Sequence, residues 1–249
     1  MHKPLPDRAE QKRLAAEAAV GQVADGMIVG IGTGSTAAYA IAALGRRVGE
    51  GLRVTGVATS LATAAAARAA GIAIVDLAPI DRIDLCIDGV DEIDAGLRAI
   101  KGAGGAMLRE KIVAAAADRM IAIADETKRV GQLGRKPVPV EVLPMAQAFV
   151  VREIARLGGD ATVRCDPAGT AVRSDQGNII IDAAFGAIAD PAALATALST
   201  VPGILGHGLF LVEIDTLYLG TADGVVTVDR DRESGEPPAA RIQRPARSL

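Results

Sequence analysis

Aromatic residues are nearly missing from this 249-residue chain, which has three Phe, two Tyr and no Trp. Stacking platforms for nucleobases or sugar rings are therefore poorly supplied. Cysteine is limited to Cys86 and Cys165, each in an apolar or strand-like context. Two isolated thiols argue against a disulfide framework and fit a reducing cytoplasm. No apolar run reaches the roughly 18 residues that a membrane span requires. The opening, Met1 to Glu10, is polar, contains Pro4 and Pro6, and lacks the apolar stretch of a signal peptide. Positive charge is not in excess either: 27 basic residues face 30 acidic ones, for a formal charge of −3. Nothing advertises a nucleic-acid partner, whereas a small anionic substrate needs only a local cluster of positive groups.

Half of the residues are apolar, mostly Ala, Ile, Leu and Val, and there are 28 glycines. That supports a sizeable core in one large domain or two small ones. Residues 8–24 read as a helix. Met27–Ile31 reads as a buried strand, followed by a helix capped by Ser35 and Thr36 that runs through Leu44. Further strands are predicted at Leu52–Ala58, Ile72–Asp76, Ile83–Ile87 and Met120–Ala124, with helices at 61–70 and Glu110–Asp118 between them. Such alternation predicts a Rossmann-like α/β fold: a mostly parallel sheet with helices on both faces. The rhythm changes near Gly134. Strands at 136–142, Ala161–Cys165, Asn178–Ala183 and Gly206–Val212, with helices at Met145–Leu157 and Pro191–Leu198, predict a smaller ferredoxin-like α+β domain over 134–208. Leu217–Val228 reads as a hairpin, turned at Asp223-Gly224, that rejoins the first sheet. The larger domain is thus assigned to 1–133 and 209–230, and 231–249 is expected to be a disordered tail.

Three stretches are able to carry chemistry. In Gly30-Ile31-Gly32-Thr33-Gly34-Ser35-Thr36, glycines let the backbone approach a ligand just where a helix begins. The unpaired amides of that first turn suit a phosphate. The alternative is a tight turn with an N-cap. No Walker lysine follows, and no acid stands after the second strand for a dinucleotide ribose. Asp88-Gly89-Val90-Asp91-Glu92, then Asp94, lies at the carboxyl edge of a strand. It suits Mg²⁺ or Ca²⁺, sugar hydroxyls, or a solvated acidic loop. Lys101-Gly102-Ala103-Gly104-Gly105 frees the backbone beside a lysine, and Glu110 opens a helix, where the dipole favours an acid. Taken singly, Lys101 and Lys128 also read as solvated lysines, and Glu110 as a first-turn helix acid. His207 reads as a local turn residue and Cys86 as a buried, inert thiol.

The ordered set is far more specific than its parts. The runs at 30–36, Asp88–Ile93, Lys101–Lys111, Ala124–Lys128 and Pro139–Pro144 together closely resemble ribose-5-phosphate isomerase of the A type, from about residue 10 to residue 228. The resemblance implies a metal-free and cofactor-free aldose–ketose isomerase working through an enediolate. Glu110 matches the family's general base. Asp88 and Asp91 match carboxylates that contact sugar hydroxyls and assist ring opening, and Lys101 matches the lysine near the reacting oxygens. Gly32, Thr33, Gly34, Ser35, Thr36, Gly89, Gly102 and Gly104 match the substrate-holding loops, and Lys12 and Lys128 match basic positions near the phosphate. A homodimer or homotetramer is implied as well. The loop Ala58-Thr59-Ser60-Leu61-Ala62-Thr63 departs from the Ser-rich loop of many members. Rival readings are an aminosugar-phosphate deaminase, which wants a catalytic His; a CoA transferase, which wants a glutamate acyl acceptor; and a non-catalytic sugar-phosphate sensor, which needs no base.

Overall fold

Short apolar runs that end in glycine or a hydroxyl residue, each followed by a capped helix, dictate a layered α/β sheet. The computed structural model describes residues 7–230 and 240–243. In chain order the first part comprises α1 (Arg8–Val20), β1 (Ile28–Ile31), α2 (Ser35–Gly49), β2 (Thr55–Ala58), α3 (Leu61–Ala69), β3 (Ala73–Val75) and β4 (Leu85–Gly89). Two very short strands follow, β5 (Glu92–Ile93) and β6 (Ala99–Ile100), then α4 (Met107–Ala115), β7 (Met120–Asp125) and a single 3₁₀ turn at Glu126–Lys128. The second part comprises β8 (Val138–Val142), α5 (Gln147–Arg156), β9 (Asp160–Val163), β10 (Ile179–Ala184), α6 (Pro191–Ser199) and β11 (Ile204–His207). The chain closes with β12 (Leu209–Phe210), β13 (Thr216–Thr221), β14 (Gly224–Asp229) and β15 (Ala240–Gln243).

The large sheet has the order β15-β14-β13-β7-β4-β1-β2-β3. Its pairs from β13 to β3 are parallel, and β14 and β15 add antiparallel. Every residue of β7 is buried, as expected of a central strand covered on both faces. On one face α1 and α2 pack a core that includes Ala15, Val29, Ile41, Ile123 and Tyr218. On the other, α4 and the strands β5, β6 and β12 enclose Cys86, Ile93, Val113, Met120 and Phe210. The four-stranded antiparallel sheet has the order β11-β8-β10-β9, which with α5 and α6 is the ferredoxin-like β-α-β-β-α-β arrangement.

Two expectations are corrected. The strand predicted over Gly206–Val212 breaks at Gly208, and its halves join different sheets: β11 pairs with β8, and β12 with β6. Gly208 donates to Pro139 O at 2.8 Å and accepts from Lys101 N at 2.8 Å. A Cβ there would lie 2.1 Å from Lys101 O, so the crossing requires glycine. Within the tail expected to be disordered, residues 240–243 pair with Val225–Val228 as an edge strand. The open edge of β14 offers unpaired backbone groups, and this strand takes them up. The rest of that tail lies outside the described residues.

Candidate active site

The carboxyl ends of β1, β4 and β7 bring the singled-out stretches to one edge of the large sheet. They enclose a cavity of about 220 Å³. The first turn of α2 forms one wall with Gly34, Ser35 and Thr36. Gly34 takes φ +105°, a left-handed value that favours glycine, and hands the chain to the helix. Lys12 of α1 donates to Ser35 Oγ at 2.9 Å, and Lys128 of the 3₁₀ turn lines the same cavity. Buried Gln11 explains why the two lysines flank one helix start: its Nε2 donates to Glu126 Oε1 at 2.8 Å, docking α1 against that turn. Unpaired helix amides with two ammonium groups nearby make an anion site.

The opposite wall carries the titratable groups. Lys101 is 2% exposed, an unusual place for an ammonium. Its Nζ lies 2.8 Å from Asp88 Oδ2 and 3.5 Å from Glu110 Oε2, and it donates to Gly89 O. The Phe210 ring centroid is 5.4 Å from Nζ. Burial works against this ammonium, but Asp88 and Glu110 outweigh it and hold the group above its ordinary value. Asp88 Oδ1 accepts from Thr33 N at 3.0 Å and from Gly89 N at 2.7 Å. Burial pushes the Asp88 carboxyl upward, opposed by Lys101 and by these N–H groups. Glu110, in the first turns of α4, is buried and has no hydrogen bond at Oε2. Burial pushes its carboxyl up to about 8; the Lys101 ammonium opposes this, and Asp88 and Asp91 add to it. Asp88 has two backbone donors and the closer ammonium, which favour its charged form against the upward push of burial. Glu110 is left as the carboxyl able to gain and lose a proton near neutrality.

Most of the residues singled out from the sequence thus meet in one place, but three differ from their expected placement. Asp88 is fully buried behind Lys101 and is not on the cavity wall. Gly32 is off the wall as well. A Cβ there would lie 2.0 Å from Asp88 Oδ1, so the glycine admits the carboxylate rather than the ligand. Thr33 lines the cavity, yet its hydroxyl turns inward to Thr59 Oγ1 at 2.8 Å, Ser60 Oγ at 2.9 Å and Thr63 Oγ1 at 3.0 Å. The loop that departs from the Ser-rich pattern therefore holds the anion loop in place through hydroxyls. Nor do the acidic residues at 88–94 cluster. Glu92 accepts from Gly134 N and Lys136 N, and Asp94 from Gly96 N and Arg98. Asp91 accepts from Ala103 N at 2.9 Å, which ties the acidic stretch to the glycine loop at 102–104. Among the described residues, no group of three or more His, Cys, Asp or Glu is arranged to hold a metal.

The family profile described as Ribose 5-phosphate isomerase A (phosphoriboisomerase A) matches residues 55–224. The chain belongs to this family. A ribose-5-phosphate isomerase A of Sphingopyxis alaskensis is 51% identical over 215 residues, covering 86% of this chain and 94% of the relative. One from Thermomicrobium roseum is 49% identical over 232 residues, covering 92% and 97%. A solved D-ribose-5-phosphate isomerase in complex with phospho-erythronic acid superposes with a TM-score of 0.87 at 37% identity, covering 90% of this chain and 100% of that one. The ribose 5-phosphate isomerase A of Neisseria gonorrhoeae gives 0.85 at 35% identity, covering 92% and 100%.

Sequence reasoning missed the Phe210 ring against which Lys101 packs, and the Lys111 ammonium 4.6 Å from the same ring. A two-residue strand such as β12 carries no periodicity that would have flagged it. His207 is off the cavity wall and ties β11 to α6 and β12. Its Nδ1 accepts from Leu209 N at 3.3 Å, and Nε2 faces Ser199 Oγ at 3.1 Å. Burial and nearby Lys111 push it down to about 4.

Proposed function

We propose that this isomerase interconverts D-ribose 5-phosphate and D-ribulose 5-phosphate, with the Glu110 carboxyl carrying a proton between C1 and C2. The observation that carries the assignment is a buried carboxyl poised near neutrality, 3.5 Å from a buried ammonium, on the wall of a cavity whose other end is a helix start flanked by lysines. In this reading the phosphate sits at the first turn of α2, with Ser35, Thr36, Lys12 and Lys128. That remote binding energy positions the reacting carbons. Ionised Glu110 takes the proton from C2 of the opened aldose. The C–H electrons form the C1–C2 double bond, and the aldehyde oxygen becomes the oxyanion that the Lys101 ammonium stabilises. Glu110 returns its proton to C1, and the proton of the C2 hydroxyl passes to O1, leaving the C2 ketone. A carboxyl whose value lies near working pH suits both halves of this shuttle.

Asp91 faces the sugar hydroxyls and assists ring opening, with Gly89, Gly102 and Gly104 shaping the cavity around them. Asp88 acts by holding Lys101, and Gly32 and the Thr33 hydroxyl act by holding the loop. The division of the chain is part of the same reading: 1–133 with 209–230 forms the catalytic unit and 134–208 the smaller one. We also place the enzyme in the cytoplasm as a homodimer or homotetramer; the two unpaired cysteines support the compartment. The direct test is formation of ribulose 5-phosphate from ribose 5-phosphate with a chelator present. Turnover is expected. Its absence at high enzyme concentration, alongside thermal stabilisation by the sugar phosphate, would favour a sensor instead.

A further inference from the structure

Arg164 follows β9 in the small sheet. Its backbone is fixed there by donation to Ile180 O at 2.8 Å and by acceptance from Val172 N at 2.8 Å. Its guanidinium forks onto Asp182 of β10, with Nε donating to Oδ2 at 2.8 Å and Nη2 to Oδ1. The remaining nitrogen, Nη1, reaches out of the small sheet to the glycine loop. It donates to Ala103 O at 2.9 Å and to Gly102 O at 3.4 Å. From the other side, Asp91 Oδ2 accepts the Ala103 N–H at 2.9 Å. The loop is thus gripped between a guanidinium next to β9 and a carboxylate in the link between β4 and β5.

The grip has a direction. A trans peptide points its C=O and N–H opposite ways, and none of the described peptides is cis. Holding the Gly102 carbonyl sends the Ala103 N–H to Asp91. Holding the Ala103 carbonyl turns the Gly104 N–H away from Arg164, at the cavity that Gly104 lines. Gly102 and Gly105 take φ values of +96° and +81°, and Gly105 N closes the turn onto Gly102 O at 2.9 Å, so the Ala103 carbonyl is where Arg164 adds its closest hold. The Arg164 and Asp182 side chains are 19% and 24% exposed, so the pair is largely shielded from water. A lysine would carry the charge but not the planar fork that binds a carboxylate and two carbonyls at once.

We infer that Arg164, braced by Asp182, is a positioning residue for the isomerisation: by holding the Gly102 and Ala103 carbonyls it sets the loop amides and the Asp91 carboxylate against the sugar end of the substrate. This rests on the isomerase reading above and deepens it. The phosphate end has its own supports in α1, α2 and the 3₁₀ turn, so loss of the brace affects the two ends of the substrate differently.

The test compares full-length wild type with Arg164→Ala, Arg164→Lys and Asp182→Asn. It measures turnover, competition by inorganic phosphate, and calorimetric binding of phospho-erythronic acid. Arg164 and Asp182 also line a cavity of about 400 Å³ that adjoins the active-site cavity at Asp91, Ala103 and Lys128, so truncation leaves room for a guanidinium ion from solution. Arg164→Ala is expected to lose roughly ten- to a hundredfold in kcat, the scale of a small misplacement of reacting groups. It should also bind phospho-erythronic acid more weakly and keep the wild-type competition by phosphate. Added guanidinium should recover part of its kcat. Arg164→Lys should recover little, and Asp182→Asn should move the same way by less. Wild-type kcat and analogue affinity in Arg164→Ala would overturn the inference. So would turnover and phosphate competition lost in proportion, with no recovery by guanidinium. If the wild type itself formed no ribulose 5-phosphate, the isomerase reading would fall, and the calorimetric comparison would still decide whether Arg164 orders the loop.

Discussion

Glu110→Gln keeps the volume of the side chain and removes its proton chemistry, so it separates catalysis from stability. The Glu110 carboxyl is pushed from an ordinary 4.5 to about 8 by burial. Below pH 4.5 the group is neutral in both folded and unfolded chains. Between 4.5 and 8 the unfolded chain ionises while the folded chain keeps its proton, so the stability attached to the neutral acid is lost progressively as pH rises. At about 1.4 kcal/mol per pH unit the ceiling of this cost is roughly 5 kcal/mol above pH 8. Gln avoids the cost but introduces an amide that needs partners, a penalty of about 3 kcal/mol at every pH, so a net gain of about 1–2 kcal/mol at pH 9 is expected. For a chain of this size that is about 2–4 °C in Tm for each kcal/mol. Thermal melts from pH 5 to pH 9 should show the variant about 2 kcal/mol less stable than wild type at pH 5, level with it near pH 7 and more stable at pH 9. In parallel, wild-type kcat/KM should climb with pH toward about 8 as the base ionises. The variant should show no turnover at any pH. A stability difference independent of pH, or one that favours the wild type more at high pH, would refute the burial argument.

The other residues give sharper contrasts. Lys101→Met strips the counter-charge from fully buried Asp88 and should cost about 3 kcal/mol in denaturant titrations at pH 7, with part of the loss recovered on acidification as Asp88 takes up a proton. Gly32→Ala drives a Cβ to 2.0 Å from Asp88 Oδ1 and should destabilise by about 3 kcal/mol, with Lys101 displaced and activity lost together. Ser35→Asp puts negative charge into the first turn of α2 and should raise the KM for ribose 5-phosphate about tenfold or more while changing kcat much less. His207→Gln should leave the shape of the pH–rate profile unaltered, because His207 is held neutral down to about pH 4 and bonds to Leu209 N and Ser199 Oγ, away from the cavity wall.

Much of the fold was legible because its signals are local. Short apolar runs that end in glycine or a hydroxyl marked β1 and β2, runs that end in an aspartate marked β4 and β7, and Ser60 capped α3 through Thr63 N as such a residue should. The convergence of Ser35 and Asp91 was legible because doubly wound sheets gather the ends of their strands at one edge, whereas Lys101 and Glu110 were implied only by the resemblance of the ordered set to the family. What escaped the sequence was depth and pairing between distant segments. Asp88 and Asp91 look alike in the acidic stretch, yet one lies behind Lys101 and the other on the cavity wall, because strand β4 continues through Asp88 and ends at Gly89. The break at Gly208 also escaped, since two-residue strands leave no pattern and the requirement for glycine arises from Lys101, more than a hundred positions earlier. The sequence assigned no role to the hydroxyls of Thr59, Ser60 and Thr63, and their contact with Thr33 shows them to be supports.

The central claim, that one carboxyl moves hydrogen between adjacent carbons of the opened sugar, is tested most directly by incubating ribose 5-phosphate in heavy water and following C1 and C2 by NMR with wild type and Glu110→Gln. The wild type should form ribulose 5-phosphate and place deuterium at C1, and the variant should bind the sugar phosphate yet neither isomerise nor exchange. Exchange and isomerisation by Glu110→Gln at the wild-type rate would contradict the account.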